Sequence, residues 1–164
     1  MSIFTKVLDK FSIEEVSAHC DVPCGIYDPH RMQVGAHTVI RMIDLMHDLD
    51  KNHKVHDADF QNTMIRHIIV KEEHAEIVKH EARILWGDYF KPEHTKDNPE
   101  LNELIWNIMK LGSKAKQTVD RKVAEDLLEA TRKLAEIFWK TKNIESKRVK
   151  APYPSGGEVV VPKL

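Results

Sequence analysis

Apolar residues recur every three or four positions over most of this chain, the period of one helix face. From about Arg31 to Leu49, Val39, Ile43 and Met46 form a stripe that Met42, Leu45 and Leu49 widen. The polar run Asp50 to His56 reads as a connection. Asp57 or Asp59 can cap a second helix reaching about Trp86, with Phe60, Met64, Ile68, Ala75, Val78, Ala82 and Leu85 inward and Gly87 as its end. A loop is expected over 88–98. Asn98-Pro99 then gives a cap and a first-turn proline. The third helix carries Leu101, Leu104, Ile105, Ile108 and Leu111 and is expected to break near Gly112. The fourth, from about Thr118 to Lys142, turns Val123, Leu127, Leu134, Ile137 and Phe138 inward. Four amphipathic helices with short connections predict an all-α fold, an antiparallel up-and-down four-helix bundle over residues 31–143.

The pattern changes at both ends. Over 144–164 the run Ala151-Pro152-Tyr153-Pro154-Ser155-Gly156-Gly157 cannot continue a helix, and Glu158 to Val161 is β-branched. An extended C-terminal tail laid against a neighbouring subunit is the expectation. Residues 1–18 carry Ile3, Phe4, Val7, Leu8, Phe11 and Val16 at helical spacing. Lys6, Asp9, Lys10, Glu14 and Glu15 interrupt them, so this is a poor secretory signal. It reads either as an ordinary first helix or as a leader removed between Ala18 and His19. Its removal leaves 23 basic and 23 acidic residues.

Composition narrows the class. At 164 residues, with 41% hydrophobic and 31% charged side chains, the chain suits one domain with a real core. A formal charge of −1 gives no nucleic-acid footprint and no polybasic membrane patch. No apolar stretch approaches the ~20 residues that span a bilayer. A cytoplasmic location is expected from the absence of an export signal.

Both cysteines lie in one short run, His19-Cys20-Asp21-Val22-Pro23-Cys24-Gly25-Ile26-Tyr27. Two thiols, an imidazole and two turn formers packed so closely make a metal hook over 19–30. With His19 as amino terminus, its amine and the Cys20 amide nitrogen close one five-membered chelate ring. That amide and the Cys20 sulfur close a second, and Cys24 adds another thiolate. The His19 imidazole can then approach axially. Planar nitrogen and sulfur donors suit Ni(II) or Cu(II), whereas zinc prefers a tetrahedron. Pro23 restricts the loop so that Cys24 returns toward Cys20, and Gly25 lets the backbone turn out of the hook.

The hook resembles that of nickel superoxide dismutases, H-C-x-x-P-C-G-x-Y. The likeness continues through Ile84-Leu85-Trp86-Gly87-Asp88-Tyr89-Phe90-Lys91-Pro92 and Ile137-Phe138-Trp139-Lys140-Thr141-Lys142. It implies superoxide as substrate, one nickel ion per subunit cycling between Ni(II) and Ni(III), a homohexamer, and a maturation protease that cuts before His19. The implied metal ligands are His19, Cys20 and Cys24. Tyr27 and Tyr89 would border the superoxide pocket, Asp21 would shape the hook, and Lys91 would add positive potential. The family's better-known members hold the axial imidazole with a glutamate on the first helix and an arginine on the second. Here those positions fall on Gly35 and His74. Glycine cannot orient an imidazole, so His74, or Glu73 beside it, is the expected replacement support.

Other readings compete. The same ligands would serve a nickel or zinc carrier without turnover, and Cys20 with Cys24 could cycle as a thiol redox sensor. His47, His53, His56, His67, His74, His80 and His94 read mostly as polar-face or loop residues. Trp86, Trp106 and Trp139 read as packing residues, and the lysine-rich stretches as solvated faces. The Glu-x-x-His pairs of a carboxylate-bridged di-metal bundle do not occur.

Overall fold

A computed structural model describes residues 24–53 and 57–164. The expected readings that fall on His19, Cys20, Asp21, Pro23 and the leader lie outside the described residues.

Pro29, fully buried, leads into α1 (His30–Asn52), whose first amide, that of His30, donates to Asp28 Oδ1 at 2.6 Å. Helix α2 (Ala58–Ile84) starts where Asp57 accepts the Phe60 amide at 2.9 Å. After a short α3 (Pro92–Asp97) come α4 (Leu101–Gln117) and α5 (Arg121–Thr141). Asp120 caps α5 by accepting from Lys122 and Val123. The four long helices pack in a ring: α1 on α2, α2 on α4, α4 on α5 and α5 on α1. Met32, Ala36, Val39 and Ile43 of α1 meet Ala75, Val78 and Ala82 of α2, Leu101 and Ile108 of α4, and Leu127, Leu134 and Phe138 of α5 in one core. The expected helical bundle is what the chain forms.

Several local expectations change. Gly87 does not end α2. The chain continues as a π-helical turn, Leu85–Tyr89, closed by the Phe90 amide on the Leu85 carbonyl at 2.9 Å. Such a turn widens the helix and re-aims the residues beyond it; here it carries Tyr89 onto the aromatic end of the bundle. Gly112 does not break α4. It is buried, and a Cβ there would lie 2.7 Å from Lys79 Cγ, so glycine serves close approach of α2. Lys71 is not on a solvated face. Its buried ammonium donates to the carbonyls of Ala115, Lys116 and Thr118, each at 2.7 Å, closing the C-terminal end of α4. Trp86 and Trp106 are exposed rather than packed: the Trp86 indole N–H donates to Asn102, and Lys110 lies over the Trp106 ring.

Helix α5 stops in a Schellman turn. Asn143 takes φ 57°, and the Ile144 amide reaches the Trp139 carbonyl at 3.0 Å. The tail then folds back as an antiparallel hairpin, β1 (Ser146–Lys150) with β2 (Glu158–Pro162), pairing Val149 with Val159. Its extended character agrees with expectation, but it lies on α1 and α5 of its own chain. Gln33 of α1, fully buried, mimics a strand residue: its amide donates to the Val160 carbonyl at 3.0 Å and accepts the Val160 amide at 2.7 Å. One turn on, buried His37 bonds Ser155 Oγ at 2.9 Å and the Glu158 carbonyl at 3.1 Å. Val159 and Val160 of β2 are buried.

Candidate metal centre

Three parts of the chain converge at the end of the bundle where α1 begins. The stem of the hook runs into α1, the π-helical turn leaves α2, and the last turn of α5 closes the group. Cys24 is exposed, and the Ile26 amide points at its sulfur at 3.5 Å. Gly25 adopts φ 71°, a left-handed conformation that turns the chain out of the hook and that side-chain-bearing residues resist.

Tyr27 and Tyr89 are brought together, with ring centroids 5.4 Å apart. Tyr89 also packs on Phe138 at 4.7 Å, on Phe90 at 5.2 Å and in a stack on His94 at 5.7 Å. Such aromatic contacts hold a ring in place beyond the area they bury. The Tyr89 hydroxyl lies 2.8 Å from Thr141 Oγ1. Thr141 spends its own proton on the Phe138 carbonyl at 2.7 Å, so Tyr89 is the donor and keeps its oxygen lone pairs for a further partner. Lys142 sits 5.3 Å above the Tyr89 ring, a cation beside the tyrosine pair. Lys91 is exposed at the start of α3, and its backbone N–H donates to His94 Nδ1 at 3.2 Å.

The expected replacements for the axial support lie deeper along α1 and α2. A Cβ on Gly35 would stand 3.0 Å from Val78 Cγ2 and 3.1 Å from the His74 carbonyl, so the helices touch there. His74 Nδ1 donates to the Val70 carbonyl at 2.8 Å, within its own helix. Its ring therefore offers outward only an acceptor nitrogen in the neutral form. Glu73 is exposed.

Nearer the hook stem, Ile26, Tyr27, Asp28, Arg31, Glu81, Ile84 and Leu85 line a cleft of about 200 Å³. In it Arg31 donates to Glu81 Oε1 at 2.9 Å; the arginine side chain is 66% exposed and the glutamate 10%. Sequence reading missed this pair, as it missed His94, Thr141 and Lys142. Only a contact across 50 residues joins Arg31 to Glu81, and no local pattern reports it. His94, Thr141 and Lys142 did stand within or beside the runs that resemble the family.

Among the described residues no group of three His, Cys, Asp or Glu side chains could hold a metal ion. Cys24 is the described member of the expected donor set. Its exposure at the mouth of an aromatic, cation-flanked end fits a thiolate ligand, and soft thiolate with amide donors is the chemistry nickel accepts.

Comparison with known proteins agrees. The family model of nickel-containing superoxide dismutases matches residues 14–142. The chain is 39% identical over 128 residues to the nickel superoxide dismutase of Streptomyces seoulensis, covering 78% of this chain and 91% of that one. It is 39% identical over 127 residues to that of Streptomyces coelicolor, with 77% and 90% covered. Among solved structures, a nickel superoxide dismutase with nickel ligation of the oxidised state superimposes with a TM-score of 0.66 at 37% identity, covering 76% of this chain and 99% of that one. The apo form of such an enzyme gives a TM-score of 0.63 at 34% identity, with 73% and 99% covered. With its hook motif, its helical bundle and this likeness over most of its length, the chain belongs to the nickel-containing superoxide dismutase family.

Proposed function

We propose that this chain is a precursor whose mature amino terminus is His19, and that the His19 amine and imidazole, the Cys20 amide and thiolate and the Cys24 thiolate hold nickel at the tyrosine-lined end of the bundle. The enzyme dismutes superoxide, two superoxide ions with two protons yielding one O2 and one H2O2; nickel held there would supply the Ni(II)/Ni(III) couple for the two half-reactions. What the protein adds is binding, orientation and field.

The observation that carries this reading is the Tyr27–Tyr89 pair, 5.4 Å apart, with Tyr27 on the stem that leads to Cys24 and Tyr89 on the π-helical turn. Both hydroxyls border the approach to the hook and order water or a small oxygen species there. Tyr89 is fixed by Thr141, and Tyr27 by the Tyr89 ring. Lys142 and Lys91 give the approach a positive potential that favours a small anion. Asp21 shapes the hook from within.

The leader must go for the donor set to form, because a peptide-bonded His19 nitrogen cannot supply an amine. A maturation protease that cuts between Ala18 and His19 would supply that amine. Ile26 is 72% and Trp86 52% exposed at the hook end. A homohexamer, which the family resemblance implies, would cover these side chains and shield the thiolates. The surface calls for no nucleic-acid partner, and no described helix is long and apolar enough to cross a membrane. We propose a cytoplasmic location.

Intact mass and metal analysis of native protein test it. A chain beginning at His19 with about one nickel per subunit is the expected result; an uncut chain that carries nickel and turns over contradicts it.

A further inference from the structure

Val34, His37, Thr38 and Arg41 stand at i, i+3, i+4 and i+7 on α1, one stripe of the helix. The loop between β1 and β2 lays Tyr153, Pro154 and Ser155 over this stripe and encloses a cavity of about 180 Å³. These tail residues lie beyond residues 14–142, the stretch that matches the family. The cavity floor has its protons spent. His37 Nε2 donates to the Glu158 carbonyl at 3.1 Å, so in the neutral ring Nδ1 accepts, and the Ser155 hydroxyl donates to it at 2.9 Å. Thr38 Oγ1 gives its proton to the Val34 carbonyl at 2.9 Å. The Tyr153 ring stands edge-on to His37, centroids 5.1 Å apart, and with Val34 and Pro154 makes the sides apolar.

Arg41 is the one charged side chain on this wall among the described residues. Arg31, Arg83, Arg121, Arg132 and Arg148 each pair with a carboxylate. Half-buried Arg41 has no hydrogen bond or ion pair among the described residues. Asp44, one turn along α1 and within reach by spacing, is held instead by Arg121 at 2.8 Å. Helix α2 brings no counter-charge either. Among the described residues Arg66 is unpaired too, and His67 Nδ1 is buried without a partner. Burial first, then Arg66 and Arg41, hold that imidazole below its ordinary titration range. A half-buried guanidinium beside an apolar cavity thus lacks the partner that offsets its desolvation.

We propose that the cavity between α1 and the tail binds a small apolar carboxylate, a free molecule the size of one aromatic ring. Its carboxylate takes the Arg41 fork, and its body lies against Val34, Tyr153 and Pro154. One guanidinium balances one negative charge, and its planar donors match two carboxylate oxygens. Volume sets the size: the cavity has the space of about six waters, less than a drug-sized ligand fills. A neutral molecule of the same shape leaves Arg41 unanswered. The bound molecule touches both α1 and the tail loop, so it stabilises the closed hairpin by mass action.

Calorimetric titration of the full chain with benzoate tests this, alongside benzamide and acetate. Benzoate is expected to bind at one site per chain with a Kd of about 1 mM or tighter. Benzamide keeps the ring without the charge, and acetate keeps the charge without the ring. Each is expected to bind about tenfold more weakly or not at all. Arg41→Gln should weaken benzoate about tenfold, and Arg41→Lys by less, because lysine keeps the charge and loses the fork. Thr38→Met, which fills the cavity and leaves Arg41 in place, should abolish binding. Benzoate should also raise the Tm of wild type and leave that of Thr38→Met unchanged. No saturable binding of benzoate overturns the proposal, and so does equal affinity in Arg41→Gln or Thr38→Met. Acetate as tight as benzoate reduces the site to an anion on an arginine and overturns it as well. If Arg41→Gln fails to fold, as circular dichroism reports, Thr38→Met decides on the same readouts.

Discussion

Two faces of α1 meet their neighbours by different physics. One face carries Arg31 and Gly35 toward α2, ends at the hook stem, and is built from one ion pair and one close backbone approach. The opposite face carries Gln33 and His37, fully or nearly buried, and locks the tail hairpin through four hydrogen bonds. The first face lies within the stretch that matches the family, residues 14–142; the hairpin it does not touch lies beyond that stretch. The helix thus joins a chemical end, where side chains are half-exposed and poised for a ligand, to a structural clasp in which the Gln33 amide and both His37 ring nitrogens are paired. Changes on one face should leave the other intact, and that separation can be attacked directly.

The largest effect is expected from Cys24→Ser. An exposed oxygen replaces the proposed thiolate ligand, so nickel binding and dismutation should fall to background while thermal unfolding stays close to that of wild type. A large drop in Tm would show that the hook end is part of the scaffold. Next comes truncation after Asn143. It uncovers the face that Val159 and Val160 bury and leaves Gln33 unpaired, at a cost of about 3–5 kcal/mol. Denaturant unfolding reads the loss, and nickel content per folded subunit should not change. Gln33→Ala isolates the polar part of the clasp. It orphans the buried Val160 amide and carbonyl, and about 1–3 kcal/mol should be lost, measured by the same unfolding with metal loading again unaffected.

The smallest effect is a pH dependence of the clasp. Burial lowers the His37 imidazole below its ordinary range, a shift that the Glu158 carbonyl opposes and Arg132 of α5 reinforces. Ser155 Oγ and the Tyr153 ring are its other neighbours from the tail. The unfolded chain then binds a proton that the folded chain refuses. Stability from this group is therefore present above the ordinary imidazole pKa and declines as pH falls through it toward the lowered value. Unfolding of wild type and His37→Gln between about pH 7.5 and 5.5 should converge on acidification. Parallel curves would remove His37 from the clasp.

The four long helices were legible because their apolar stripes are local and periodic, and Asp57 capped where a cap was expected. The family was legible because the residue types of the run 19–27 are chemically unusual in so short a stretch. Where reading failed, the cause was contact across distance. Gly112 looks like a breaker until Lys79 is seen packed against it. Lys71 looks solvated until three carbonyls of the α4 end surround it. The π-helical turn at 85–89 leaves no trace in a 3.6-residue period. The tail's β-branched run announced an extended segment, but its pairing with β1 and its seat on Gln33 are matters of register and of contact across most of the chain. A glutamine and a histidine one turn apart, amid the apolar stripe of α1, were the one signal that could have located that seat. The same limit hid Arg31 and Glu81, on helices whose pairing is tertiary.

The most direct measurement is superoxide decay recorded by stopped flow on two nickel-supplied preparations, one retaining residues 1–18 and one beginning at His19. Rapid dismutation by the trimmed chain, and only background decay with the longer one, is the predicted result. Equal rates from both would show that the terminal amine of His19 plays no part in holding the metal, and would contradict the assignment.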